Sequence, residues 1–124
     1  MDIVLTDREA DLMQVLWEHG PSTVAEVKER LNDELAYTTV LTILRNLEAK
    51  GYVGHDEEGR AHRYSARVAR DAARRSALEA LSTKLFKGSS EMLLTHLVSD
   101  GKLSGQQIDR IRKLLNRKKK GDMS

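Results

Sequence analysis

Over the first fifty residues, apolar positions recur in three short helical registers, each bounded by polar caps or breakers. Thr6-Asp7-Arg8-Glu9 has the spacing of a capping box, in which a hydroxyl and a carboxylate satisfy the orphan N–H groups at a helix start. Ala10, Met13 and Trp17, with Leu12 and Leu16, form the apolar face of the helix that follows, and His19-Gly20-Pro21 stops it. Thr23-Val24-Ala25-Glu26 repeats the box ahead of a shorter helix that turns Val24, Val27 and Leu31 inward. After the polar turn Asn32-Asp33-Glu34, a third helix is expected from near Tyr37 to Gly51, with Val40, Leu44 and Leu47 at i, i+4 and i+7 on its buried stripe.

Beyond Gly51 the period changes. Tyr52 to Asp56 and Arg60 to Ser65 are compatible with two strands paired around Glu57-Glu58-Gly59, where the glycine tolerates a positive φ. Three helices, the last two joined by a tight polar link, followed by a two-stranded wing, describe a winged helix-turn-helix. From Val68 the helical pattern resumes. One helix carries Ala73, Ala77, Leu78, Leu81, Leu85 and Phe86 and ends at Gly88; a second opens at Ser89 and carries Met92 to Val98. A third begins at Ser104 with Gln107 three residues on, presents Ile108, Ile111 and Leu115, and runs into the basic tail Arg117 to Lys120 and a frayed 121–124. The expected fold is therefore mainly α with a small β wing: a winged helix-turn-helix domain at 1–67 and a helical domain at 68–124. Those three helices hold more apolar surface than so short a unit can bury, so Leu81, Leu85, Leu93, Leu97, Ile108, Ile111 and Leu115 are expected to form a dimer with a second copy.

Composition bounds the chemistry. A chain of 124 residues, 40% hydrophobic, divides into halves with thin cores, since a unit of roughly 60 residues buries only about 60% of its unfolded surface. Cysteine is absent, which removes disulfides, thiolate metal sites and cysteine nucleophiles and fits a reducing compartment. No apolar run approaches the ~20 residues of a membrane span, and Met1-Asp2-Ile3-Val4 lacks the regions of a signal peptide, so a cytoplasmic location without membrane insertion is expected. The formal charge of +2 hides an asymmetry: residues 1–66 carry 7 Lys/Arg against 13 Asp/Glu, a net of −6, and residues 67–124 carry 14 against 6, a net of +8. If the helix-turn-helix half meets nucleic acid, phosphate neutralisation has to come from a few placed cations.

Thr38, Thr39, Thr42, Arg45 and Asn46 fall largely outside the buried stripe of the third helix and are the candidate base and phosphate contacts. Threonine offers a hydroxyl and a methyl, Arg45 a fork for guanine or phosphate, and Asn46 a partner for adenine or backbone. The plain alternative is a solvated face, against which stands the poor helix propensity of three threonines. Arg60, His62 and Arg63 give the wing cationic character for the sugar-phosphate backbone, or else Arg60 and Arg63 pair with Asp56, Glu57 and Glu58 across the hairpin. Arg67, Arg70 and Arg74, spaced three to four apart, place a basic stripe beside the wing or an ordinary solvated face. His19, His55, His62 and His96 form no i, i+4 pair and no HExxH pattern, so no metal site is expected, and no cofactor either. With no phosphate-cradling loop or nucleophile motif, an enzyme is not expected.

In combination, Leu5-Thr6-Asp7-Arg8-Glu9 with Val15-Leu16-Trp17, Ala36-Tyr37-Thr38-Thr39-Val40, Leu47-Glu48-Ala49-Lys50-Gly51, Arg60-Ala61-His62-Arg63-Tyr64, Leu85-Phe86-Lys87-Gly88 and Leu103-Ser104 resemble the BlaI/MecI penicillinase-repressor family, which also includes the copper-responsive CopY repressors. The resemblance implies a winged-helix transcriptional repressor that binds a double-stranded inverted-repeat operator as a homodimer. In the copper branch it implies sensing through a C-terminal cysteine cluster, which a chain without cysteine lacks. In the β-lactam branch it implies an upstream membrane sensor protease and cleavage at an Asn-Phe bond in the penultimate helix. The corresponding Leu93-Leu94-Thr95-His96-Leu97-Val98 has no such pair. Two other readings remain open on the residues: a ligand-responsive winged-helix regulator of another family, and a winged-helix protein-interaction module.

Overall fold

The computed structural model describes residues 2–32 and 34–122. In chain order the elements are α1 (Asp7–His19), β1 (Ser22–Thr23), α2 (Val24–Arg30), α3 (Tyr37–Ala49), β2 (Val53–Glu58), β3 (Ala61–Ala66), α4 (Arg70–Phe86), α5 (Ser90–Ser99) and α6 (Gly105–Asp122). Contacts divide them into two compact units, the first reaching to Leu78 and the second starting at Glu79.

In the first unit the helix starts follow the local chemistry. Both capping boxes close: the Thr6 hydroxyl accepts from Glu9 N and the Thr23 hydroxyl from Glu26 N, and each glutamate accepts the N–H of its threonine in return. Gly20, at φ 77°, ends α1 ahead of Pro21. Leu12, Met13 and Leu16 of α1, Val24 and Val27 of α2, and Val40, Leu44 and Leu47 of α3 meet in one core that the wing closes with Tyr52, Val53 and Tyr64. Trp17 is only partly buried against this core, its indole N–H donating to the Val68 carbonyl at 2.9 Å.

The wing differs from expectation in two ways. The sheet has three strands in the order β1-β3-β2, because Ser22 and Thr23 pair with Tyr64 and Arg63 and so stitch the start of α2 to the hairpin. The hairpin also closes more tightly than expected. Glu58 pairs with Ala61, leaving only Gly59 and Arg60 in the loop, so Glu57 and Glu58 belong to β2 and Arg60 sits at the tip. Gly59, at φ 61°, takes the first loop position, where a two-residue hairpin requires the left-handed region.

The first unit also takes in residues beyond the expected 1–67, because Ala73 is buried in its core and Ser76 Oγ accepts the Ile3 N–H at 3.1 Å. Arg67 lies before the start of α4 at Arg70, so the expected single helical face of Arg67, Arg70 and Arg74 does not form. Residues 67–69 instead carry the chain from the wing to the helix, with the Arg67 N–H donating to the Tyr52 carbonyl at 2.8 Å.

In the second unit Ser89 caps α5 through Met92 N, and Ser104 with Gln107 completes a third capping box ahead of α6. Here α6 continues through the basic run to Asp122, so residues 117–120 are helical and not a tail. Among the described residues of this unit no hydrophobic side chain is fully buried, and Leu94, Val98, Leu103, Ile108, Ile111 and Leu115 line an open apolar cleft of about 200 Å³. No described helix is long and apolar enough to cross a membrane.

Candidate nucleic-acid interface

The three buried residues of α3 orient the rest of the helix. With Val40, Leu44 and Leu47 turned inward, Thr38, Thr39, Thr42, Arg45 and Asn46 are all exposed on the outer side. The Thr42 hydroxyl donates to the Thr38 carbonyl at 2.9 Å, which holds its rotamer and leaves its oxygen free to accept. Ala36, the residue before α3, provides no side-chain cap, and the first turn holds no acidic residue. The first N–H groups of α3 therefore remain available to a phosphate.

Arg45, Arg60 and His62 come from different elements and line one cleft of about 260 Å³, together with Thr23, Tyr37 and Leu41. No ion pair occupies Arg45 or Arg60 among the described residues, so two cations face one opening in an otherwise acidic unit. Tyr37, half exposed at the head of α3, was not among the sequence candidates. Its signal was an aromatic residue directly ahead of the threonines, off the buried stripe.

Arg63 is placed differently. Its guanidinium lies 2.6 Å from Glu58 and 3.2 Å from Glu26, and also donates to the Pro21 carbonyl at 3.2 Å. The hydrogen bond to Glu58 raises its pKa further and outweighs partial desolvation. The Glu26 carboxyl is held below its usual range, first by the Thr23 hydroxyl and then by the Thr23 N–H, with smaller help from Arg63 and Arg30. This cluster braces the hairpin against the start of α2.

The three following arginines also separate. Arg67 is exposed and lies across the strand at Gly54, where an added Cβ would stand 1.9 Å from its Nε. Arg70 is half-buried over the Trp17 ring, 5.8 Å from its centroid, with Nε and Nη2 buried and unpaired. Arg74 is exposed. In the second unit Leu81, Leu85, Leu97 and Leu115 are exposed, whereas Leu93, Ile108 and Ile111 are half-buried.

The hairpin register also assembles a group that a search for helical histidine spacing passes over. His55 and Glu57 alternate along β2 on the face shared with His62, which pairs directly with Glu57, and one donor atom of each lies within 4.8 Å of the others.

The pattern of the penicillinase repressor family matches residues 5–117. The transcriptional regulator BlaI of Mycobacterium tuberculosis is 35% identical over 115 residues, covering 90% of this chain and 82% of that protein. The penicillinase repressor of Bacillus licheniformis is 25% identical over 121 residues, covering 93% and 94%. The solution structure of monomeric B. licheniformis BlaI in complex with the blaP half-operator superposes with a TM-score of 0.50 at 27% identity, over 58% of this chain and 90% of that one. The matched pattern spans the winged helix and most of the helical unit that follows, and the protein belongs to the penicillinase repressor family.

Proposed function

We propose that this protein is a transcriptional repressor that reads an inverted-repeat operator as a homodimer. The observation that carries this reading is the outer face of α3, with Thr38, Thr39, Thr42, Arg45 and Asn46 exposed beside a cleft where Arg45 meets Arg60 and His62. The α3 face would lie in the major groove. The free N–H groups at its start and Arg60 at the wing tip would hold phosphates. Thirteen residues make α3 ~20 Å long at about 1.5 Å per residue. BlaI of B. licheniformis, bound to its half-operator, supports this use of the winged helix.

Arg63 keeps the wing in place in this reading, since its guanidinium is taken up by Glu58 and Glu26. Arg67 and Arg74 remain candidates for phosphate contact, and Arg70 acts through the Trp17 ring. Two copies would associate through the open apolar surfaces of α4 to α6, spacing two α3 helices about one DNA turn, roughly 34 Å, or a simple multiple apart. An upstream membrane sensor protease with Asn-Phe specificity would find no such bond in α5, so release from DNA would follow another route.

Electrophoretic shift of promoter fragments at physiological salt, with excess nonspecific competitor, tests the proposal. Retarded specific fragments are expected. Binding that the competitor removes completely would leave a protein-interaction module as the better reading.

A further inference from the structure

We propose that the His55–Glu57–His62 face of the wing binds one divalent late transition-metal ion of the zinc class, with Glu48 of α3 as the buttress that orients it. The donors come from adjacent strands in fixed register: Glu57 is paired with His62, and His55 sits two residues before Glu57 on the same face. The imidazoles of His55 and His62 are stacked, with centroids 4.5 Å apart and planes 11° from parallel, so His62 has to turn out of the stack before both in-plane lone pairs can meet at one ion. His62 Nε2 lies 3.9 Å from Glu57 Oε1, and the three donors fall within 4.8 Å of one another.

Glu48 supplies the feature that separates this group from a chance cluster. Its Oε2 lies 2.5 Å from His55 Nδ1 and would accept the Nδ1 proton, so that the neutral ring, once a metal displaces any proton from Nε2, offers that nitrogen's lone pair as a ligand. A carboxylate behind a ligating histidine is the arrangement that orients the ring and raises its basicity at metal sites. Zinc bonds of about 2.0–2.2 Å place neighbouring donors roughly 3.4 Å apart, so the group has to contract. Glu57 and His62, whose side chains are 77% and 43% exposed, are free to rotate inward while Glu48 holds His55. Two imidazoles and a carboxylate suit zinc, nickel or copper(II) over magnesium or calcium, which take oxygen donors. A fourth position stays open to water. His62 also lines the cleft with Arg45 and Arg60, so a bound ion stands at the edge of that opening.

The test is made on the untagged full chain with Zn²⁺ alone, titrated against a chromophoric chelator, so it does not depend on whether the protein binds DNA. One ion per chain is expected. His62→Ala, at an exposed position, should weaken uptake at least tenfold, and Glu48→Gln by about ten- to a hundredfold, as for other residues that orient a ligand. His19→Ala and His96→Ala should leave uptake unchanged. In the unmodified chain, zinc should shift the ring resonances of His55 and His62 and not those of His19 or His96. Absence of saturable one-to-one uptake, equal uptake by His62→Ala, or zinc shifts at His19 or His96 would overturn the proposal.

Discussion

The Lys50 ammonium lies 2.7 Å from Glu9 Oε1 and joins the end of α3 to the start of α1 across 41 residues of sequence. Glu9 is almost fully buried and serves twice, since the same oxygen accepts the Thr6 N–H of the capping box. Burial pushes the Glu9 carboxyl up, but Lys50 and Thr6 together outweigh it and hold the group below its ordinary value of 4.5. A depressed carboxyl contributes stability above its unfolded value and loses it as pH falls through the folded one. Lys50→Met should therefore destabilise the chain by about 1–2 kcal/mol at neutral pH, the low end for a lost hydrogen bond to a charged group, because Lys50 is partly exposed and the Thr6 N–H still holds the same oxygen. Urea unfolding of both proteins should show that difference narrowing once pH drops below 4.5. A constant difference at all pH values would assign the effect to lost alkyl packing.

The link between Arg63 and Glu26 makes a prediction about the wing. Arg63→Gln removes the contacts to Glu26, Glu58 and the Pro21 carbonyl together, whereas Glu26→Gln breaks only the first of these, so the double variant should lose less stability than the two single losses added. Amide exchange in β2 and β3 should accelerate most in the two variants that lack Arg63. Independent, additive losses would show that the two residues act separately.

Arg60, Arg70 and Arg74 should separate in their response to salt. Each lost phosphate contact flattens the slope of log K against log salt by about 0.9. Arg60→Ala and Arg74→Ala should each show a flattening of that order. Arg70→Ala should keep the slope and lower thermal stability, because its guanidinium lies over Trp17. A changed slope for Arg70→Ala would place that side chain on DNA.

The exposed leucines of the second unit predict its association. Leu97→Glu together with Leu115→Glu puts charge on two open apolar positions, 40% and 54% exposed. Sedimentation should show a dimer for the parent chain and a monomer for the variant, with secondary structure retained. Operator affinity should fall with the dimer, since the acidic reading head has few cations to hold DNA alone. A parent chain that sediments as a monomer would remove the basis for the two-site operator.

Features that depend on neighbours in sequence were legible before the fold was known. Capping boxes at Thr6, Thr23 and Ser104, the buried stripe of α3 and the polar face opposite it all follow from spacings of three and four. Features set by distant partners were not. β1 is two residues long and exists only because Tyr64 and Arg63 lie beside it, and no periodicity marks so short a strand. Arg70 looked like part of a basic stripe because its register was clear, while its place over Trp17 depends on a residue more than fifty positions away. The His55–Glu57–His62 group was hidden by a test suited to helices; alternation on a hairpin, with the turn fixed at Gly59 and Arg60, would have brought it out.

Arg45→Ala tests whether the exposed face of α3 reads the operator. Titration of a genomic fragment recovered with the protein, followed by fluorescence anisotropy with nonspecific competitor, compares parent and variant at one salt concentration. Loss of a bidentate base contact is worth about 1–3 kcal/mol, so affinity should fall roughly five- to 150-fold. The variant's thermal unfolding should stay unchanged, because Arg45 is exposed and outside the core. Equal affinity of parent and variant, with both folded, would mean that this face of α3 does not read the operator.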